Sequence, residues 1–528
     1  MTNLAGVMEE RARQGWWAEP AFVVGGRTWT HAEVHRGAAV VATRLAGLGV
    51  GRGDRVLVVL ADGIEFVWAF LGAIRLGALA VLANPRLTAD DHADLAADAR
   101  PAVAVVAPDI AGRFAAGCRS LLGGDALGAE VVAALEQGVS ASGERAIAEA
   151  ADGDAAYAQY TSGTTGRPKA AVHRHHDPLV YFSAFARGAV DLGGDDVVYS
   201  VSKLFFAYGL GNSLFFPLLA GCRAVLDAGP PRPDTAARLV RDNGVTVMFS
   251  VPTFYARLVA AGDRASYASV RAAVSAGEAL TPVLAKRVVD FLGCPILDGL
   301  GSTEVGQTFV SNTLEHCRHG TVGRPLPPYQ VAVRDDAGND VEPGRPGTLW
   351  VKGPTVLVEY LGRPEATAAV VRQGWLSTAD RAMIDADGFV HHLGRVDDIE
   401  VVGGINVAPL EVEAVLVGHP AVTEVAVAAV RDDTGASRLE AFVVAVPGRG
   451  PETGVADELV ALAKGELAPH KVPRAVHFVD SLPRTPTGKL RRFLLRQGAW
   501  TDAGASIARA AGRESAAGPR APGSPPTS

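Results

Sequence analysis

Only four cysteines are spread through the 528 residues. Cys118, Cys222, Cys294 and Cys317 form no C-x-x-C pair, which excludes the spacing of a zinc finger and of a dense disulfide framework. Reduced thiols of this kind fit a cytoplasmic protein. Basic charge is not in excess either: the formal net charge is −7. Bulk electrostatics therefore excludes a nucleic-acid or anionic-membrane binder, and any anion must be met by local groups. The most membrane-like stretch, Val67 to Ala83, is interrupted by Arg75 and Gly77, so it reads as a buried helix followed by a strand. Glu9 and Glu10 stand where a secretory signal would need an apolar core. There is no internal repeat.

At this length a single hydrophobic core is not expected. Short apolar runs such as Val56–Leu60, Val245–Ser250, Val270–Ser275 and Pro295–Leu297 alternate with helical patterns, which is the texture of an α/β protein with buried parallel strands. One helix is well marked: Thr281 caps it, Pro282 suits its first turn, Leu284, Val288 and Phe291 keep helical spacing, and Gly293 ends it. After residue 330 the pattern shortens into strands and turns, with a hairpin tip at Asp335–Asn339 and a return strand at Gly347–Lys352. From Ile399 a small α+β pattern follows, with helices at Pro409–Val417 and Ala456–Leu467 and strands at Glu424–Val430, Leu439–Val446 and Ala475–Val479. The final stretch, residues 498–528, is rich in Ala, Gly, Pro and Ser and is expected to be disordered.

Tyr160-Thr161-Ser162-Gly163-Thr164-Thr165-Gly166-Arg167-Pro168-Lys169 is the most informative segment. Gly163 and Gly166 allow backbone N–H groups to approach an anion closely, the four hydroxyls add donors, and Lys169 adds charge. It is not the P-loop of kinases and ATPases, because Arg167 and Pro168 separate Gly166 from Lys169 and Ala170 replaces the magnesium-binding hydroxyl. Alone, such a run is as often a solvated turn.

Further motifs follow in order: Ser275-Ala276-Gly277-Glu278-Ala279-Leu280, Gly299-Leu300-Gly301-Ser302-Thr303-Glu304, Trp375-Leu376-Ser377-Thr378-Ala379-Asp380, Gly394-Arg395-Val396-Asp397-Asp398 and Pro486-Thr487-Gly488-Lys489. Together they resemble the adenylate-forming superfamily of acyl-CoA and aryl-CoA synthetases, luciferases and adenylation domains, over residues 20–497. The resemblance implies an α/β N-terminal region of several subdomains, one of them β-rich, spanning 1–394. A hinge at 395–398 and a small mobile α+β domain at 399–497 would follow it. It implies ATP, Mg²⁺ and CoA as cofactors or co-substrates. Thr161, Ser162, Gly163, Thr164, Thr165, Gly166 and Lys169 would bind the phosphates of ATP, Gly277, Glu278 and Ala279 would form the adenine side, and Asp298, Gly299 and Leu300 would also bind ATP or AMP. Asp380 would accept the ribose hydroxyls and Arg395 would reach ribose or phosphate. Thr303 and Glu304 would be catalytic, Glu304 holding Mg²⁺ on the phosphates. Lys489 would bridge the carboxylate substrate and the α-phosphate. Asp397 occupies the hinge position, and Gly403 and Gly404 would line a pantetheine tunnel. Read singly, Asp380 and Arg395 would be an ordinary surface ion pair and Gly403–Gly404 a hairpin turn.

Leu204–Asn212 and Leu297–Glu304, with Ser311–Asn312, are similar to benzoate-CoA ligases. That likeness implies a small aryl carboxylic acid, with Phe206, Ala207, Tyr208, Gly209, Gly301 and Gln307 lining its pocket; Phe205 is equally well read as core. Ala207 stands where amino-acid activators of the Phe-Asp-Xaa-Ser type carry their aspartate, which disfavours an amino acid. Val305-Gly306-Gln307 departs from the Met-Leu-His usual in benzoate ligases, and Ala170 and Ala379 replace glycines usual in the family. His173, His175 and His176 lack a second ligand cluster for zinc; one histidine is expected to shape the site and the others to be solvated. Lys471 and Arg474 would meet either the 3′-phosphate of CoA or acidic residues of an acyl carrier protein; CoA is the expected acceptor, and a carrier protein priming a polyketide starter unit is the alternative. A non-catalytic nucleotide sensor would be expected to have lost Lys489, Glu304 or the phosphate loop, and all three are present. No nucleic acid or membrane partner is expected, and the chain would act as a monomer or homodimer.

Overall fold

The computed structural model describes residues 3–114, 117–137, 147–161, 168–395, 400–402, 405–431, 437–446, 448–450, 454–484, 490–497 and 506–509. The chain divides into two compact units, Met1–Ile399 with Arg484–Arg491, and Glu400–Pro483 with Arg492–Ser528.

In the large unit the continuous apolar runs become parallel strands covered on both faces. A six-stranded sheet runs in the order Ser120–Gly123, Val103–Val106, Arg55–Val59, Leu79–Leu82, Ala155–Thr161, Lys169–Arg174. All of its neighbours are parallel except the last pair. A nine-stranded sheet has Ile296–Gly301, Ala272–Ala276, Val247–Ser250, Val197–Ser200, Arg223–Leu226 and Pro20–Val24 parallel in its centre. The main core lies between the two sheets, where Val56, Val58, Leu82 and Tyr157 meet the same cluster as Val247, Phe249, Val274 and Leu297. Each such side chain contributes roughly 1.5–3 kcal/mol by leaving water. Helices Pro233–Asn243, Pro252–Ala261 and Pro282–Leu292 cover the other face of the larger sheet. The last of these starts where its sequence says: the Thr281 hydroxyl accepts from Leu284 N–H at 3.2 Å, and Gly293 closes it at φ +76°.

The β-rich part is an antiparallel sheet of Gln330–Arg334, Gly347–Lys352, Trp375–Ile384, Val371–Arg372 and Val390–Arg395. In the small unit Val422–Arg431, Ser437–Ala445 and Ala475–Phe478 form a sheet, with helices Pro409–Leu416 and Val455–Glu466 packed on its core. Helix Arg492–Arg496 is tied to this unit by a buried pair in which Arg492 donates to Glu413, while Glu413 also accepts from Val427 N–H. The expectation of a wholly disordered tail does not hold for Ser506–Arg509, which pair antiparallel with Ala475–Phe478. An edge strand offers unmet N–H and C=O groups to any extended segment, whatever its composition. No helix among the described residues is long and apolar enough to cross a membrane.

Candidate active site

Strand Ala155–Thr161 ends at Thr161, which faces Lys169 across the antiparallel pair. The ammonium of Lys169 lies 5.2 Å from the centre of the Tyr360 ring. The Tyr360 hydroxyl in turn donates to Glu304 Oε1 at 2.8 Å. Burial, and next the Glu304 carboxylate, push the Tyr360 phenol far above its ordinary range, while Arg395 opposes them. Lys169, Glu304 and Arg395, widely separated in sequence, are thus gathered around one buried tyrosine, with Lys169 opposite the end of strand Ala155–Thr161, Glu304 just after Ile296–Gly301 and Arg395 at the end of Val390–Arg395; the carboxyl ends of strands are where open α/β sheets place their ligands. A carboxylate with one oxygen engaged by a neutral donor is a hard ligand suited to Mg²⁺, which takes one or two carboxylates and completes its shell with phosphate and water; the residues present fit that ion.

The turn Thr303–Gly306 is held from beneath. His173, fully buried, has Nε2 at 2.7 Å from the Thr303 carbonyl and Nδ1 at 3.2 Å from Asp177 Oδ2. Burial alone would raise the Asp177 carboxyl, but hydrogen bonds from His173 and His176 bring it down to about 2. Gly306, at φ +88°, lets the chain pass over this pair: a β-carbon there would lie 3.1 Å from Tyr181 and 3.3 Å from the His173 ring. His173 is therefore the histidine that shapes the site, but the expectation that the others are solvated is corrected at His175. That side chain is buried and accepts from Leu4 N–H at 3.1 Å, because the N-terminal helix covers it.

Asp380 is not part of a surface pair. It is almost fully buried, with His392 Nε2 and Arg395 Nη1 each 3.4 Å from Oδ1. Burial favours the neutral acid, but His392, Arg395 and the Thr378 hydroxyl outweigh it and lower its pKa. The pairing of Trp375–Ile384 with Gly347–Lys352 slips between Thr348 and Trp350, opposite residues 378–380. Such a bulge re-aims a side chain, and here it requires Ala379 to sit at φ +57°. A left-handed alanine costs on the order of 1–2 kcal/mol, part of which glycine would return through the entropy of the unfolded chain. Ala379→Gly is expected to stabilise the protein by about 0.5–1 kcal/mol with KM for ATP unchanged. Denaturant unfolding and initial rates check this; a loss of stability would mean that the alanine methyl contributes packing worth more than the strain.

Of the residues expected to line the acid pocket, Phe206, Ala207 and Tyr208 are half-buried, while Phe205 belongs to the core. Their loop is set by Asp62, whose buried carboxylate accepts from Leu204 N–H at 2.9 Å and which burial pushes up to about 6. Helix Ala207–Leu210 continues into a π-helical turn, Gly211–Phe215, a distortion common at functional sites. Gln307 Nε2 lies 3.3 Å from the Tyr208 carbonyl and 3.4 Å from Asn212 Oδ1, and its Oε1 accepts from Thr308 N–H. Burial, and next Asp298, raise the Tyr208 phenol, and the amide of the fully buried Asn212 opposes them. At the end of strand Ile296–Gly301, Asp298 is buried with Oδ1 unpartnered, and burial drives its carboxyl well above the ordinary value against the Ser275 hydroxyl and Gly299 N–H. The Glu278 carboxylate accepts from Thr253 N–H at 3.0 Å and from Arg484 at 2.9 Å. Lys471 is bound by both oxygens of Glu411, at 2.5 and 2.6 Å.

Ser162, Gly163, Thr164, Thr165, Gly166, Asp397, Gly403, Gly404 and Lys489 lie outside the described residues. Tyr360 and Asp177 escape sequence reading, and Asn212 enters it only as the last residue of the Leu204–Asn212 stretch. Asp177 follows the His173–His176 run by one residue, which is a signal only once the strand-to-helix turn is known. Tyr360 has no one-dimensional cue linking it to Glu304.

Residues 8–361 match the AMP-binding enzyme family, and residues 411–489 match the AMP-binding enzyme C-terminal domain. The chain belongs to the AMP-binding enzymes. It is similar to the p-hydroxybenzoic acid–AMP ligase FadD22 of Mycobacterium tuberculosis, 44% identical over 497 residues that cover 94% of this chain and 69% of that protein. It is 38% identical to the benzoate–CoA ligase of Thauera aromatica, over 85% of this chain and 86% of that one. A solved benzoate CoA ligase from Burkholderia xenovorans LB400 superposes with a TM-score of 0.86 at 34% identity, covering 94% of this chain and all of that one. The protein is an AMP-forming ligase of the aryl-acid-adenylating type, with the mixed α/β fold of that class.

Proposed function

We propose that this protein condenses a hydroxybenzoate-type aryl acid with ATP and passes the acyl group to the phosphopantetheine thiol of CoA. The aryl carboxylate oxygen attacks the α-phosphorus, the bond from that phosphorus to the bridging oxygen of pyrophosphate breaks, and acyl-AMP results. The thiolate then adds to the acyl carbonyl and AMP leaves. The observation that carries this reading is the gathering of Lys169, Glu304 and Arg395 around Tyr360, with Asp380 paired to Arg395, in a chain of this family. Lys169 would meet the phosphates with Thr161 and the Ser162–Gly166 loop, and Asp380 and Arg395 would hold the ribose. Glu304 would carry Mg²⁺, which supplies charge neutralisation on the triphosphate when bound.

The unpartnered buried Asp298 oxygen beside Gly299 suits an exocyclic amine, so adenine would lie against Asp298–Leu300 and Gly277–Ala279. Glu278 contributes there through its backbone, since its carboxylate is committed to Thr253 and Arg484. Phe206, Ala207, Tyr208, Gly209 and Gly301 would form the ring slot. The amide groups of Asn212 and Gln307 add polarity at the slot that benzoate itself would not match. A ring hydroxyl would meet it, in agreement with the p-hydroxybenzoic acid named for the 44% relative.

A carrier-protein thiol is the second reading of the acceptor. It is favoured by that same relative, which is named for its AMP product, and by the engagement of Lys471 with Glu411, which leaves that lysine less available for a nucleotide phosphate. The test is pyrophosphate release from Mg-ATP with benzoate, the three hydroxybenzoates, aminobenzoates, cyclohexane carboxylate, a medium-chain fatty acid and amino acids, each with CoA or with a phosphopantetheinylated carrier protein. Turnover with hydroxybenzoates that requires CoA supports the first reading. Adenylation that turns over only with carrier protein moves the acceptor to the second, and no acid-dependent pyrophosphate release would sink both.

A further inference from the structure

Residues 357–361 do more than connect two sheets. Leu357 N–H donates to the Glu304 carbonyl at 2.8 Å, Val358 N–H to the Val172 carbonyl at 2.9 Å, and Leu361 N–H to the Ala170 carbonyl at 2.8 Å. Val172 N–H returns a bond to Glu359 at 2.9 Å, and Tyr360 bridges Ala171 antiparallel. The segment is thus an added rung on the strand that begins with Lys169, and its first residue grips the turn that carries Glu304. Tyr360 is fixed within it by Thr367, whose hydroxyl accepts from Tyr360 N–H at 2.9 Å.

The phenol could be an ordinary core tyrosine, and its ring does pack in the main cluster. Its hydroxyl behaves differently from those of its neighbours. Tyr329 pairs with the Thr355 hydroxyl at 2.9 Å and Tyr255 donates to the Met248 carbonyl at 2.8 Å, both satisfying internal polar groups. Tyr360 instead donates to a half-buried carboxylate of the candidate site and presents its ring to that site's lysine. A neutral donor on one oxygen orients a carboxylate without cancelling its charge. Among the described residues no hydrogen bond is made to Glu304 Oε2, so the second oxygen is left for a cation.

We propose that Tyr360 is a positioning residue for the metal–triphosphate side of the reaction: its hydroxyl aims Glu304 and its ring face seats the Lys169 ammonium. This rests on the reading of Glu304 as the magnesium-bearing residue. Ring and hydroxyl make separate contributions, so they separate by substitution. Phenylalanine keeps the cation–π surface and removes the hydrogen bond; leucine removes both.

The experiment is equilibrium binding of ATP, without acid, in Mg²⁺ and in EDTA, for the wild type, Tyr360→Phe, Tyr360→Leu, Glu304→Gln and the Tyr360→Phe/Glu304→Gln double variant, alongside thermal unfolding of each. Tyr360→Phe is expected to weaken ATP binding about tenfold in Mg²⁺, the size of a hydrogen bond to a charged group, and to leave binding in EDTA unchanged. Tyr360→Leu should weaken it in both. In the Glu304→Gln background the phenylalanine should add almost nothing, since the two act as one unit. KM for the aryl acid should be unaffected by Tyr360→Phe. Equal losses with and without Mg²⁺, a full additive effect in the double variant, or wild-type binding by Tyr360→Phe beside a defective Glu304→Gln would each overturn the role of Tyr360. Glu304→Gln with undiminished Mg²⁺ dependence would overturn the reading of Glu304, and this proposal with it.

Discussion

Lys489→Ala is expected to reduce acid-dependent pyrophosphate release by about 10²–10³-fold, the usual cost of removing one preorganised group that meets developing charge. Thioester formation from supplied aryl-AMP should be largely retained. The asymmetry follows from where charge builds. In the first half-reaction a carboxylate approaches an anionic phosphate, and the five-coordinate phosphorus carries more negative charge on its oxygens than either reactant. A cation bridging the two has its greatest value there. In the second half-reaction a thiolate attacks a carbonyl already activated by its AMP ester, and nothing needs to draw two anions together. Rapid-quench measurement of each half-reaction separates the two, and equal losses in both would remove Lys489 from the role proposed for it.

Asp177→Asn should be the most destabilising conservative change in the neighbourhood of the site, by about 1–3 kcal/mol at neutral pH, because it replaces a buried carboxylate shared by His173 and Arg174 N–H with an amide that offers a single oxygen. The amide cannot serve both His173 and His176, and the Thr303 carbonyl loses a rigid donor, so KM for ATP should rise as well. The pH dependence carries a sign. The Asp177 carboxyl is depressed from 3.8 to about 2 in the folded protein. Its ionisation therefore adds stability that is fully present above the unfolded value and is lost as pH falls through 3.8 toward 2, roughly 2 kcal/mol in all. The Asp177 hydrogen bond raises the His176 pKa, so the gap in unfolding temperature between wild type and variant should grow as pH falls through the histidine range and then narrow as pH falls from about 5 toward 2. A gap that kept widening below about pH 5 would mean that the carboxyl is neutral in the fold.

Much of the fold was legible because parallel strands announce themselves as unbroken apolar runs, and Thr281-Pro282 with Gly293 marks a helix by chemistry that acts over a few residues. The nearness of Glu304 and Lys169 was not, since no local rule brings residue 304 to residue 169; the family likeness supplied that expectation, and Tyr360 supplies its physical agent. Asp380 was recognised but its setting was not: a bulge with Ala379 in a left-handed conformation is invisible where the residue is not glycine. His175 looked like one of a solvated run until the first helix of the chain was found lying over it. The strand at Ser506–Arg509 was hidden by composition, because edge pairing draws on backbone groups that every residue owns.

Gly211 and Gln307 come from separate elements, yet a β-carbon on Gly211 would stand 2.0 Å from Gln307 Nε2. Even an alanine there has to move that amide away from the Tyr208 carbonyl and from Asn212. On the proposed placement of Gln307 at the ring slot, the two positions are therefore not independent dials on the choice of acid. A lineage drifting from one ring substituent to another is constrained in the order of its steps: a smaller residue at 307 opens the space that a side chain at 211 can then enter, whereas the reverse order passes through a crowded intermediate. Libraries that vary the two sites together would reach acids that one-at-a-time scanning of this pocket leaves out of reach.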